Sequence, residues 1–346
     1  MNDRNHKAFR QFILSILILG SMVLLIACGL IPGKALPTPT ASIQKFSTPT
    51  PAPLGDQSNP LVMGFINPDD NQTITDAGNK ISRELAEYLT ISTQPKFYRN
   101  YQTLINDLKE GKTQIVWLPP ATYLFAHEKG IANVSLLSNH FGVYYYGTQF
   151  LANKVSGFTP SFNPVTVINN QDAKQALSQF KDKRPCWVGT DSLSGYYVPL
   201  GLLNENEIPI LAGAFLQNHP AVIRALYIRG ICDFGVTFAH LGDPRTASAV
   251  QADLTDALDQ IPVIYQTDAI IPNLSLAYSE NIPQEMRKTL DAFFIAQVGD
   301  DLKRQTISSA LDYEIQDLQK VDDSIFDRLR KILESAGADL QNLVGW

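Results

Sequence analysis

The sequence predicts an α/β protein whose sheets are mostly parallel and covered by helices. Two observations lead there. Short apolar runs of strand length alternate with stretches whose apolar residues recur every three or four positions, and that β-α-β order calls for parallel strands joined by crossover helices. The composition, 45% hydrophobic and 18% charged, is that of an ordinary globular chain. Pro60 to Trp346 is long enough for one large domain or two lobes.

The first residues read as an address. Arg4, Lys7 and Arg10 precede the largely apolar stretch Phe12 to Ile26. That is a charged n-region and an h-region too short for a typical membrane span. It ends in Leu25-Ile26-Ala27-Cys28-Gly29, the pattern of a bacterial lipobox. Residues 1–27 are therefore expected to be a signal peptide, and Cys28 a lipidated N-terminus. Several acyl chains on one Cys give stable anchoring where one is marginal. Residues 28–59, with Pro37, Pro39, Pro49, Pro51 and Pro53 among Thr, Ser and Ala, read as a semi-extended tether without a core.

The globular elements then follow. Leu61 to Phe65 is a strand, and Ile74, Ala77, Ile81, Leu85 and Leu89 mark a helix. Tyr101, Leu104, Ile105 and Leu108 mark a second, stopped near Gly111. Ile115 to Leu118 is a strand, and Pro119-Pro120 opens the next helix. Val134 to Leu137 and Tyr144 to Leu151 are strands. After an irregular stretch, Ala173 to Phe180 is helical and Pro185 to Gly189 is a strand. Tyr196 to Asn204 is a helix, Ala212 to Leu216 a strand, Ala221 to Arg229 a helix and Cys232 to Phe238 a strand. Ala249 to Leu258 and Pro262 to Gln266 close this block as helix and strand. Two C-terminal helices, Gln284 to Val298 and Ser324 to Glu334, complete the chain, which has no internal repeat.

Between the strand at Pro185 and the helix at Tyr196 lies Thr190-Asp191-Ser192-Leu193-Ser194-Gly195. The leading N–H groups of a helix have no internal partner, and its dipole places positive charge there. Such a turn receives an oxyanion without a basic side chain. Ser192 and Ser194 add hydroxyls, and Gly195 permits close approach of a ligand. The same pattern also serves as a plain Ser N-cap. The formal charge of −6, about −8 without the signal peptide, argues against nucleic acid as a partner.

Several stretches in order resemble the substrate-binding proteins of phosphate, phosphite and phosphonate ABC transporters. They are Tyr101-Gln102-Thr103-Leu104 with Lys109 to Ile115, Leu118-Pro119-Pro120-Ala121-Thr122-Tyr123, Ser192-Leu193-Ser194-Gly195-Tyr196, Asn218-His219 with Arg229 to Asp233, and Val321 to Ser324 with Ala336-Gly337. The resemblance implies a two-lobed, type II periplasmic-binding-protein-like fold that closes on its ligand about a hinge. Lobe 1 would be residues 60–151 plus 268–346, and lobe 2 residues 152–267. It implies a small phosphorus oxyanion as ligand, a transporter permease as partner and a monomeric, extracytoplasmic, membrane-anchored protein without a cofactor. A sensor component or a binder of another anion is the alternative. The ligand residues implied are Ser192, Ser194, Gly195, His219, Tyr101, Tyr123, Tyr145 and Asp268. Leu193 stands where the family has Thr, and Ala239-His240 stand where binders of amino-phosphonates place an acid, so an amine-bearing ligand is not expected.

An enzyme is not expected. Ser194, His219 and Asp233 lack the G-x-S-x-G elbow of a hydrolase triad. The five His are scattered, without the spacing of a zinc site. Beyond Cys28, Cys186 and Cys232 each begin a predicted strand of the second block. As neighbours in a parallel sheet these strands would bring the two cysteines within bridging distance. Otherwise the pair packs as two buried thiols.

Overall fold

The structure, a computed structural model, describes residues 52–345. The expected signal peptide, Cys28 and the expected tether up to Pro51 lie outside them. The last tether residues do not behave as a spacer. Leu54 packs on the first core, Gly55 N–H donates to Asn59 O at 2.7 Å, and Ser92 N–H donates to Gly55 O at 2.7 Å. Residues 54–59 therefore belong with the globular part, which was expected to begin at Pro60.

The first lobe opens with β1 (Leu61–Ile66), α1 (Gln72–Leu89), β2 (Thr93–Tyr98), α2 (Tyr101–Lys109), β3 (Ile115–Leu118), α3 (Pro120–Glu128) and β4 (Ala132–Asn139). The chain crosses over through β5 (Tyr145–Leu151). The second lobe adds a small hairpin of β6 (Phe162–Asn163) and β7 (Ile168–Asn169), then α4 (Ala173–Leu177), β8 (Pro185–Trp187), α5 (Val198–Glu205), β9 (Ala214–Phe215), α6 (His219–Ile228) and β10 (Phe234–Ala239). The short α7 (Ser248–Gln251) and α8 (Ala257–Gln260) lead to β11 (Val263–Gln266). The return runs through β12 (Ile271–Pro272) and β13 (Ser275–Ser279) into α9 (Gln284–Gly299), α10 (Asp301–Leu311), β14 (Asp317–Lys320), α11 (Asp327–Ser335) and α12 (Leu340–Leu343).

Each lobe is one sheet with a core on both faces. The first sheet has the order β14-β4-β13-β3-β1-β2 and the second β11-β5-β10-β8-β9. In the first, side chains alternate strictly. Leu61, Met63, Phe65, Ile115 and Trp117 face the helices α1, α9 and α10, while Val116 and Leu118 face α2, α3 and α11. Leu61, Ile115, Val116 and Leu118 are 0% exposed, so these strands are buried on both faces and read as continuous apolar runs.

Two expectations are corrected. The sheets are mixed rather than mostly parallel. β1-β2, β1-β3, β8-β10 and β8-β9 are parallel, whereas β5 runs antiparallel to β10, β11 and β12, and β13 to β3 and β4. The reason is topological: a strand that enters a lobe at the crossover arrives without a crossover helix to reverse it. The lobe boundary moves for the same reason. β5 pairs along most of its length with β10 and β11, so the first crossover lies at the start of β5 and not after Leu151. Its first residues, Tyr145 and Tyr146, pair with Pro272 and Ile271. The two connections between lobes thus run side by side.

The lobes meet at a second place. Gly201 of α5 lies against α11 so closely that a Cβ there would stand 2.8 Å from Ile332 Cγ2, with the Ile332 carbonyl oxygen closer still. Arg328 clasps Glu205 with both guanidinium nitrogens, at 2.8 and 2.7 Å. Asn204 Nδ2 donates to Ser335 O at 2.8 Å. Val198, at the start of α5, is 0% exposed and belongs to the first lobe's core.

Cys186 and Cys232 form a disulfide, with Cα atoms 5.6 Å apart. Cys186 lies on β8, and Cys232 stands just before β10, its parallel neighbour. Among the described residues no helix is long and apolar enough to cross a membrane.

Candidate functional site

The serine turn grows out of β8. Ser192 is an N-cap with extended backbone (φ −82°, ψ 119°), and its Oγ accepts from Gly195 N–H at 3.0 Å. The turn that follows, Leu193–Tyr197, is π-helical: Tyr197 N–H reaches Ser192 O at 3.1 Å, and Val198 N–H donates to Leu193 O. Single π-turns are rare and concentrate at functional sites. The leading amides of Leu193 and Ser194 precede any intrahelical acceptor. Ser194 is 5% exposed, and its hydroxyl has no partner among the described residues. Its carbonyl accepts from the Thr148 hydroxyl of β5, and Val188 N–H donates to Gly195 O at 3.1 Å.

Gly195 is required here, but for a different reason from the one read in the sequence. A Cβ would stand 2.8 Å from Ser192 Oγ, and closer still to Val188 Cβ. The close approach seen here is to Val188 below the turn. It lets the turn lie flat on Val188 and brings the Gly195 amide within reach of its cap.

His219 is the first residue of α6, whose cap Asn218 accepts from Ala221 N–H at 2.9 Å. Its ring meets Phe238 edge-on, with centroids 4.7 Å apart. Its Nδ1 is buried without a hydrogen-bond partner. Burial pulls the imidazole down to about 4, so near neutral pH it offers one N–H and one lone pair.

The first lobe supplies a matching turn. β3 ends at Leu118, Pro119 takes the cap position without a side-chain bond, and Pro120 opens α3. Tyr123 N–H donates to Pro119 O at 2.9 Å, which leaves the amides of Ala121 and Thr122 ahead of the first intrahelical bond. Thr122 is 5% exposed, and its hydroxyl has no partner among the described residues.

These turns face a common cavity of about 500 Å³. Pro119 to Thr122 line it from the first lobe and Asp191 to Ser194, His219, Phe238 and Leu241 from the second; Tyr146 and Leu343 complete it. Three helix starts converge, and hydroxyls arrive from both sides. No Lys or Arg lines the space. A larger hollow of about 600 Å³ against α3 and α11 is lined by Glu128, Lys129, Arg330, Glu334 and Asp339. Arg330 there is already paired with Asp323 and Asp327. Among the described residues no group of His, Cys, Asp and Glu could hold a metal ion.

The structure thus brings Ser192, Ser194 and His219 together and places the other expected residues elsewhere. Tyr123 is a core residue: it is 0% exposed, packs against Phe326 with tilted rings 4.4 Å apart and donates its hydroxyl to Asp323 Oδ1 at 2.8 Å. Tyr145 does not line the cavity; its neighbour Tyr146 does, because successive strand residues face opposite sides. Tyr101 lines the adjoining space rather than this one. Asp268 is exposed and lines neither. Thr122 and Tyr146 were not singled out in the sequence. Thr122 was accessible to the same helix-start argument that identified Ser194, since Pro-Pro marks the start of α3.

Comparison with known proteins identifies the family. Residues 63–326 match the family model described as ABC transporter, phosphonate, periplasmic substrate-binding protein. The chain belongs to this family. Its members are transport components that bind a solute outside the cytoplasm; they are not enzymes. Solved structures share the fold. The XAC2383 protein of Xanthomonas citri, solved with chloride, is 13% identical with a TM-score of 0.57 over 82% of this chain and 98% of that one. The same protein bound to ATP is 14% identical with a TM-score of 0.55, over the same shares. PhnD1 of Prochlorococcus marinus, in complex with methylphosphonate, is 14% identical with a TM-score of 0.50 over 80% of this chain and 98% of that one. No curated protein matches the chain significantly.

Proposed function

We propose that this chain captures a small phosphorus oxyanion of the phosphonate class between its lobes and delivers it to the permease of an ABC transporter, while lipid on Cys28 holds it at the membrane. One observation carries the ligand reading. The leading turns of the Ser192 segment, α6 and α3 face one cavity that contains unpartnered Ser194 and Thr122 hydroxyls and an unpartnered His219 Nδ1. Oriented amides and hydroxyls stabilise an oxyanion without a cationic side chain. Affinity should accordingly change little with ionic strength, since no Lys or Arg lines the cavity to be screened.

A thermal-shift and calorimetric series against phosphate, phosphite, methylphosphonate, aminoethylphosphonate and sulfate tests this. A phosphorus oxyanion at 100 times its dissociation constant adds about 2.7 kcal/mol of stability. No shift with any of them, or a shift with sulfate alone, overturns the reading. For the anchor, Cys28→Ala should abolish membrane retention in fractionation; a processed variant that stays on the membrane would remove Cys28 from the account.

A further inference from the structure

The oxyanion cavity has a neighbour. A second chamber of about 380 Å³ shares Pro119, Pro120, Tyr146 and Leu241 with it as common wall. Beyond that wall, Tyr101, Leu274, Leu311 and Tyr313 line the second chamber. The first chamber is lined by helix starts and hydroxyls, while the second adds the rings of Tyr101 and Tyr313 and the side chains of Leu274 and Leu311, with His140 and Asn273 as polar members. Tyr101 and Tyr146 have no hydrogen-bond partner for their hydroxyls among the described residues. Tyr313, by contrast, is held in place by its stack on His140, with centroids 4.0 Å apart. The only carboxylate on this side, Asp312, is exposed at the end of α10.

Size points the same way. With four oxygens on a small central atom, a tetrahedral anion takes at most the space of about four waters, roughly 120 Å³. The first chamber alone, at about 500 Å³, exceeds that, and the second adds 380 Å³ of mostly apolar room. A bare oxyanion, or one with a methyl group, leaves the second chamber unfilled.

Resting on the oxyanion reading of the first chamber, we infer that the preferred ligand is an organophosphonate with an uncharged apolar or aromatic substituent, its headgroup on the Ser194 turn and its substituent among Tyr101, Leu274, Leu311 and Tyr313. Rigid aromatic walls suit a flat or alkyl group and add contact without fixing a particular hydrogen-bond pattern.

Calorimetry on the full-length protein with methylphosphonate, phenylphosphonate and aminoethylphosphonate tests it. Phenylphosphonate should bind at least tenfold more tightly than methylphosphonate, and Leu311→Gln or Leu274→Gln should reduce that preference at least fivefold. The wild-type series stands alone if neither variant folds. Equal affinities for methyl and phenyl overturn the inference and leave the oxyanion reading intact. Aminoethylphosphonate binding more tightly than phenylphosphonate also overturns it, because the chamber would then be reading a cation through Asp312. No binding of any phosphonate overturns the oxyanion reading itself.

Discussion

The serine turn of the second lobe and the proline turn of the first do one job with different means. Both connect a buried strand to a helix and point leading amides at the same cavity. The serine turn is fixed by hydrogen bonds. Ser192 caps Gly195, Val188 holds the Gly195 carbonyl, and Thr148 holds that of Ser194. The proline turn has no side-chain cap at all; two adjacent rings set its backbone. The first is a network that fails if a member is lost, and the second is stiff residue by residue. Function should therefore be more fragile in the second lobe.

The largest test of that difference is the disulfide. It ties the strand leading into the serine turn, while nothing comparable ties β3. With the cysteines 46 positions apart in sequence, the chain-entropy model gives a loss of about 4 kcal/mol on removal. Cys186→Ala with Cys232→Ala should lower the denaturation midpoint accordingly. Hydrogen exchange should accelerate at 188–197 well before 119–123. Equal acceleration in both turns would erase the contrast.

The two hydroxyls give the next comparison. Ser194→Ala and Thr122→Val each remove one hydrogen bond to a charged ligand, worth about 1.5–3 kcal/mol. That corresponds to roughly ten- to a hundredfold in affinity. If the second lobe dominates, Ser194→Ala sits at the upper end. Titrations in which neither variant differs from the parent would place the oxyanion elsewhere.

Gly195→Ala sharpens the point further. The new methyl collides with Val188, and overpacking of this kind costs about 1–3 kcal/mol. Melting temperature and ligand affinity should fall together, since the collision is with Val188 in the strand below the turn. A variant that loses affinity at unchanged stability would return Gly195 to the ligand.

The last test is the pH response of His219. Folding holds its imidazole near 4, below the usual 6.5, through burial. Between those values the unfolded chain binds the extra proton, so stability is present above about 6.5 and is lost as pH falls towards 4. Denaturant midpoints at pH 7.5 and 5 should differ less in His219→Gln than in the parent. An unchanged difference would mean that other groups carry it.

What could be read from the sequence follows from what each residue type reveals alone. The apolar strands β1 and β3 and the stripe of α1 announce themselves, because burial on one or both faces leaves a period. β2 was not recognised: Thr93 to Tyr98 is mostly polar, as a sheet edge permits. α10 was missed for a similar reason, since Lys303, Arg304, Gln305 and Thr306 dilute its apolar face to Ile307 and Ala310. In the site, the helix-start chemistry of Ser192 and Ser194 is local and was legible. The choice between Tyr145 and Tyr146 was not, because it depends on the register of β5 with β12, which only the assembled sheets set.

The contact of α5 with α11 bears on how ligand enters. Two bodies joined at one flexible place can swing freely; joined at two separated places, they keep one axis, the line through both. Here one place is the paired crossover at Tyr145, Tyr146, Ile271 and Pro272, and the other is Gly201 against Ile332 with Arg328 on Glu205. The lobes would then part as a door does, wide at the edge farthest from that line and hardly at all along it. Solute would arrive from that single side, and its residence time would be set by how easily that free edge lifts.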